Sequence, residues 1–390
     1  MTARVHVIGA GLAGLAAALA AAQAGAQVVV HEAAPQAGGR CRSFHDRHLD
    51  RLIDAGTHLL VGANHQTLAY LRAIGATMAP LPPHYRFAHV NQGWQRTIRP
   101  LPPPAGWSET ALALGLPWVG AGQNVAARLG GCPAYEWLWR PLCLSILNTS
   151  PEQASARMLA RVLRALMLGG PKAFRGYGFA HGLSAALIDP ALARLQHLGA
   201  QVHFGQRLSA ICQSRLTFGP TSIALAAKDR VILALPPWVT APLLGRNDPF
   251  DTNAIANMHY RVARPLDPLG PIGLVGGIGH WLSVRGDVVS VTVSAAEQRP
   301  DPHRLWAEIA PLLAQDAATP PYRLIWEKRA TLVQSPDILA RRPGPRTMFD
   351  GVFLAGDWIA SPWPCTMESA ISSGLAAARL ALGRDDIGFS

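Results

Sequence analysis

Short apolar runs broken by glycine open the chain. Val5-His6-Val7-Ile8 is too short for a buried helix and rich in β-branched residues, so it predicts a buried strand. Gly9-Ala10-Gly11-Leu12-Ala13-Gly14 interrupts it, and the alanine-rich stretch from Leu15 to Ala24 predicts a helix. Gln27 to Val30 predicts a second strand, which ends at Glu32. Gly199 to Phe204 and Arg230 to Leu235 read as further strands. Asp287 to Val293 alternates in polarity, which predicts a sheet with one face on a cavity. Pro80 to Pro104 is proline-rich and marks a departure from the first unit, and residues from about 105 to 185 read mostly as helices. Within them Met158, Leu159, Val162, Leu163, Leu166 and Met167 recur at helical spacing, with Arg157, Arg161 and Arg164 offset to another face. Strands alternating with helices predict an α/β fold.

The opening unit carries chemistry. Gly9 permits a tight turn, Gly11 lets the backbone approach a pyrophosphate on the positive end of the helix, and Gly14 lets helix and strand pack closely. Glu32 stands where a carboxylate meets a ribose 2′-OH. Strand, glycines, helix, strand and acid in register make a dinucleotide-binding βαβ unit.

Three segments resemble the flavin amine oxidase and carotenoid desaturase superfamily. They are Gly38-Gly39-Arg40 with Ser43, Gly351 to Asp357, and Pro364 to Gly374. The resemblance implies FAD as cofactor. Gly39 and Arg40 would close over its diphosphate, and Gly356 and Asp357 would meet its ribityl and phosphate part. Thr366 and Met367 would open a last helix aimed at the flavin O2, and Leu208 would lie beside the adenine. Leu12, Ala13 and Ala33 count among the cofactor contacts next to Gly11 and Glu32. The implied fold is a Rossmann-type FAD-binding domain, like that of amine oxidases and glutathione reductase, with an α+β substrate domain. The FAD domain is discontinuous over 1–80, 190–245 and 346–390, and the substrate domain spans 81–189 and 246–345.

Thr366 stands where many amine oxidases carry a tyrosine, which argues against an amine substrate. Interior segments resemble instead the hydroxysqualene dehydroxylase family, also described as squalene-associated FAD-dependent desaturases. These are Asp54 to Gly62, Trp139-Arg140-Pro141-Leu142, Ile146 to Ala156, His181 to Ser184, Glu327 to Thr331 and Arg341-Arg342-Pro343. Ala55 and Thr57 depart from the family's usual Asn and Gln, and Cys365 replaces a small residue. The resemblance implies reduction of a C30 isoprenoid, hydroxysqualene, to squalene with loss of water. Allylic C–O ionisation would be followed by hydride transfer from reduced flavin N5, with an external electron donor. A carotenoid-type desaturase or isomerase running oxidatively, and a non-catalytic FAD-bound lipid-binding protein, are the alternatives. No second dinucleotide fingerprint is present, since Gly273 to Gly279 lacks the glycine spacing and a following helix.

Loss of hydroxide needs an acid. The candidates are Asp54, His58 and Glu368. Each has a plainer reading: Asp54 as a local hydrogen-bonding residue, His58 as a satisfied core histidine, and Glu368 as the partner of a capping amide. Lys328 and Arg329 stand open between the flavin and a solvated strand edge.

Composition narrows the rest. The 390 residues are 49% hydrophobic and 15% charged, enough for a large core. Five scattered cysteines without CxxC spacing argue against disulfides and a zinc site, and suit a reducing cytoplasm. The fourteen histidines form no metal-binding motif, so no metal is expected. The first strand begins at once, which predicts no signal peptide, and the apolar run Leu12 to Ala22 is too short to span a bilayer. The net charge of +11 fits no nucleic-acid module. It suits an anionic membrane surface, met peripherally from the cytoplasm by the basic helix around Arg157, Arg161 and Arg164; the competing reading packs that helix on the core.

Overall fold

Five short parallel strands place the glycine turn at the carboxyl edge of a sheet. They are β1 (Arg4–Ile8), β2 (Gln27–His31), β3 (Gln201–His203), β4 (Arg230–Leu233) and β5 (Val352–Leu354), in the order β3-β2-β1-β4-β5. The computed structural model describes residues 4–99, 102–115, 118–247, 250–267 and 270–389; Pro100 and Leu101, inside the proline-rich stretch, lie outside them. Strand alternation assigns the two faces. Val5, Val7, Val30 and Ile232 pack under helices α1 (Leu12–Gln23) and α5 (Met367–Leu382). Ile8, Val231, Leu233 and Leu354 pack under an antiparallel layer that includes Leu216 and Phe218. The two helices touch backbone to backbone: a Cβ on Gly374 would lie 2.2 Å from the Ala13 carbonyl oxygen.

The second sheet has seven strands, from Tyr322–Leu332 at one edge through Thr252–Arg261, Val288–Ser294, Trp281–Arg285 and Ile272–Val275 to the hairpin Tyr85–His89 and Gln95–Ile98. Its alternation is amphipathic in an unusual sense. Ala256, Met258, Tyr260, Val289 and Val291 form one face and pack on Leu305, Trp306 and Ile309. Asn257, His259, Ser290 and Thr292 form the other, polar face, which turns towards the loop that carries His58. A helical layer covers the remaining side and includes α3 (Trp107–Ala113) and α4 (Ala156–Leu168), with Trp139, Leu147 and Leu163 in its core.

The chain returns to the first unit earlier than expected. Leu183, Leu187 and Ile188 already belong to the core beneath α1, upstream of position 190. Leu332 and Ile338 likewise join the first unit's second core, ahead of position 346.

Burial holds three histidines neutral. His6, His259 and His280 each have a pKa lowered from 6.5 to about 4, in every case chiefly by loss of solvent. The unfolded chain therefore takes up protons that the folded chain refuses, and stability is lost as pH falls from 6.5 towards 4. A loss of about 2–3 kcal/mol per histidine is expected near the lower limit. Urea unfolding across this range checks it, and His6→Gln should shrink the pH dependence by its share; a flat stability profile would contradict it.

Candidate functional site

The turn after β1 is built by what glycine omits. Gly9 has φ of +104°, and a Cβ there would meet the Ala234 carbonyl oxygen at 2.5 Å. A Cβ on Gly14 would lie 1.8 Å from the Gly9 carbonyl oxygen, so this glycine is required for the helix to start where it does. Gly11 differs, because a Cβ there meets nothing within 4 Å. It faces open space at the start of α1, where no side chain caps the helix and no acid occupies the first turn. Leu12 and Ala13 are buried in that first turn.

Glu32 follows β2 directly, beside this space. Its two oxygens accept the Ala10 and Ala34 amides, each at 2.7 Å, and Ala33 lies between. The Glu32 carbonyl accepts the Gln206 amide at 2.8 Å, which draws the turn carrying Leu208 alongside. Gly38 donates to the Ala10 carbonyl at 2.8 Å, and Gly39 lies over Gly11.

Arg40 then crosses to the far end of the chain. Its guanidinium forks onto Asp357 at 2.6 and 3.0 Å and also donates to the Ala330 carbonyl. Burial works to lower the Arg40 pKa, and the neighbouring Asp357 outweighs it, so the guanidinium stays charged. Gly356 is held by its amide on Ser373 Oγ of α5, 2.6 Å away. Thr366 stands at the N-cap of α5, its amide on Ser369 Oγ at 3.0 Å, and Met367 is buried in the first turn. The segments expected to share one cofactor thus converge: glycines and arginine from the N-terminal unit, Gly-Asp and a helix start from the C-terminal one.

The three acid candidates fare differently. Glu368 is buried, and its carboxylate accepts the Gln66 and Thr67 amides at 2.9 Å and the Thr67 hydroxyl at 2.8 Å. These are the first amides of helix α2 (His65–Ala73), so Glu368 caps that helix and is not free to donate a proton. Asp54 accepts the Ser43 hydroxyl at 2.5 Å and the Leu183 amide at 3.0 Å, and it pairs with Arg285 at 2.6 Å. It joins the two units as an ion-paired carboxylate, and its oxygens are committed there. His58 is only half-buried, with Nε2 3.7 Å from Cys41 Sγ. Burial lowers its pKa below 6.5; Asp54 acts to raise it and Arg40 to lower it, leaving a neutral imidazole at neutral pH. Cys41 and Cys365 are buried thiols pushed up to about 12, so they stay protonated.

One contributor escaped the sequence reading. Asn257, on the polar sheet face, spans the loop that carries His58. Its side chain donates to the Ala55 carbonyl and accepts the Thr57 amide, both at 3.4 Å, and it accepts the Thr292 hydroxyl at 2.9 Å. A Cβ on Gly56 would lie 3.5 Å from His58 Nε2 and 3.6 Å from Asn257 Nδ2, so this glycine keeps open the notch between them. No local motif marks Asn257; only strand pairing brings it here. Arg329 and Lys328 lie exposed on the edge strand, and Arg329 stacks over Trp238 at 5.1 Å. Among the described residues no group of acids, cysteines and histidines is arranged to hold a metal.

Glu368→Gln is expected to leave one buried amide facing the donors of α2. It should destabilise the protein by about 1–3 kcal/mol. The rate per bound cofactor should stay at the parent value, and paired unfolding and turnover measurements check both. A rate loss without a stability loss would restore Glu368 as an acid.

Known proteins are similar to this chain in sequence and in fold. Residues 12–131 and 328–382 match the family described as flavin containing amine oxidoreductase. A hydroxysqualene dehydroxylase of Sinorhizobium fredii is 36% identical over 98% of this chain and 99% of its own length. One from Rhodopseudomonas palustris is 36% identical with the same coverage. Among solved structures, putrescine oxidase bound to putrescine superposes with a TM-score of 0.71 over 98% of this chain and 100% of that one. Its 15% identity speaks to the fold alone. The fold is thus the expected FAD-binding α/β type. The open face at Gly11, the uncapped start of α1 and the Arg40–Asp357 pair fit an FAD diphosphate and ribityl chain.

Proposed function

This chain belongs to the hydroxysqualene dehydroxylase family, and from that premise we propose that it reduces hydroxysqualene to squalene. It is an FAD-dependent oxidoreductase. The observation that carries the proposal is similarity along the whole length to two hydroxysqualene dehydroxylases, laid over a site that fits FAD.

FAD, when bound and reduced, would supply a hydride, with an external donor as the source of its electrons. The allylic alcohol would take up one proton and lose its oxygen as water, and the hydride would take that oxygen's place on the carbon. The chain's own task is to hold that proton and to exclude solvent water, which would recapture an allylic cation. Of the three candidate acids His58 has the loosest polar contacts: Nε2 lies 3.7 Å from the Cys41 thiol, and the ring also meets the Arg40 backbone. His58 Nε2 is the atom assigned to proton delivery. Asn257 positions it by bracing the main chain on both sides of Gly56. Asp54 acts through structure, by pinning the same loop to Arg285.

All five cysteines are free, which suits a cytoplasmic setting. Among the described residues no helix is long and apolar enough to cross a membrane.

Anaerobic incubation of the dithionite-reduced protein with hydroxysqualene tests the proposal. Squalene is the expected product by mass. A product with more double bonds would point to a desaturase, and an unchanged substrate would leave a flavin-bound lipid carrier.

A further inference from the structure

The apolar side of the basic helix packs on the core, as the second of the two sequence expectations had it. The apolar side of α4 is core: Met158, Leu159 and Leu163 are buried. It is therefore unavailable to lie in a lipid interface. Another side carries Arg157, Arg161, Arg164 and Leu168, spaced so that they follow one another down a single helix face; Arg157 is exposed, whereas Arg161 and Arg164 are half-buried, and Arg164 donates to the Leu114 carbonyl at 2.8 Å.

This stripe has apolar ends. The Arg157 guanidinium stacks over the Trp118 ring at 5.0 Å, and Trp118 is 72% exposed. Leu168, at the other end, is 67% exposed. Trp107 begins α3, which packs against α4, and is 71% exposed. Tryptophans this open are uncommon on a folded surface, and their amphipathic rings suit a membrane–water interface.

The charge around the stripe is one-sided. Residues 153 to 188 contain no Asp or Glu, yet they carry Arg157, Arg161, Arg164, Lys172 and Arg175. Residues 110 to 135 also lack acids. Among the described residues no ion pair involves these five cations. Burial and the flanking Arg157 and Arg164 lower the pKa of Arg161, as unneutralised neighbours should. The face also adjoins the site. Arg161 donates to the Pro362 carbonyl at 3.0 Å, in the loop that leads into Cys365 and the start of α5.

We propose that this face docks the protein on an anionic phospholipid bilayer, with the arginine stripe on the headgroups and Trp107, Trp118 and Leu168 in the interface. The inference rests on the C30 substrate read above, since such a hydrocarbon resides in the bilayer and reaches a protein from it. Charge draws the protein to the surface, and the apolar anchors hold it there.

The test is sedimentation with phosphatidylcholine vesicles and with vesicles of equal parts phosphatidylglycerol and phosphatidylcholine, without substrate. The FAD-loaded protein should bind the anionic vesicles, and binding should weaken as salt shortens the Debye length below about 10 Å. The triple variant Arg157→Gln, Arg161→Gln, Arg164→Gln should lose roughly a hundredfold in affinity, at ~5-fold per cation. Trp107→Ala with Trp118→Ala should lose about tenfold or more with no change in charge. The control Arg215→Gln, Lys228→Gln, Arg246→Gln removes equal charge from exposed sites elsewhere and should bind like the parent. FAD content reports that each variant is folded.

Equal losses in both triple variants would overturn the proposal, since adsorption would then follow net charge alone. Binding that ignores loss of the tryptophans would overturn it too, as simple attraction to a polyanion. Turnover of detergent-dispersed hydroxysqualene separates the two readings. Parent protein that docks but does not convert it refutes the reaction, and protein that converts it but does not dock refutes the surface.

Discussion

Gly11→Val is expected to fold normally and to purify without flavin. The position has ordinary backbone angles, φ −74° and ψ 176°, and a Cβ there meets nothing within 4 Å. The side chain therefore costs the protein little. What it fills is the space in front of the uncapped start of α1, where the diphosphate has to approach the backbone. FAD content should fall by at least about two orders of magnitude, while the unfolding free energy differs by less than roughly 0.5 kcal/mol from that of the flavin-free parent. The contrast is Gly14→Ala, whose Cβ would lie 1.8 Å from the Gly9 carbonyl oxygen, so the fold itself must shift. Absorbance of the purified protein and a urea titration give both numbers. A yellow, fully loaded Gly11→Val protein would place the cofactor elsewhere.

His58→Gln is expected to slow single-turnover C–O cleavage by about 10²–10⁴-fold, the usual worth of a positioned acid. The pH profile separates this role from a structural one. Burial holds the His58 pKa below 6.5, so the imidazolium is the minority form at neutral pH. Cleavage by the parent should accelerate as pH falls towards that pKa and then level off. The Gln variant should be flat over the same range, with its FAD content unchanged. Asn257→Leu, which removes the brace around Gly56, should lower the rate and leave the pH dependence in place. If His58→Gln keeps both the parent rate and its slope, the proton comes from elsewhere, and the pocket itself must drive ionisation.

The glycine turn of the candidate FAD cradle was legible from residue types because its parts are local, whereas Arg40, Asp357 and the start of α5 were pointed to only by resemblance. Gly9, Gly11 and Gly14 sit within one turn, and their roles follow from what a Cβ would strike. Glu32 is fixed by strand length. Such features depend on backbone geometry over a few residues, which a linear pattern records.

The acid assignments were not legible in this way. Asp54 and Glu368 have the chemistry of a proton donor, and nothing near them in the chain announces Arg285, Gln66 or Thr67. Arg285 lies 231 positions away from Asp54, and Thr67 lies 301 from Glu368. A carboxylate's role is set by which donors surround it, and those come from other elements. The same holds for α4. Its amphipathic pattern was plain, and it showed that one face would be buried without showing against what. The core took the apolar side, and the charged side was left outside it.

Residue order alone thus marked the glycine turn with the strands and helix around it, and resemblance to a family pointed to two distant segments as parts of one cofactor site. Tertiary structure decided which acid became a helix cap, which became a clamp between units, and which histidine was left facing the notch. It also brought Asn257 to the Gly56 loop. The division has one cause: backbone conformation is specified within a few residues, whereas hydrogen-bond partners and burial are specified by contacts between segments far apart in the chain.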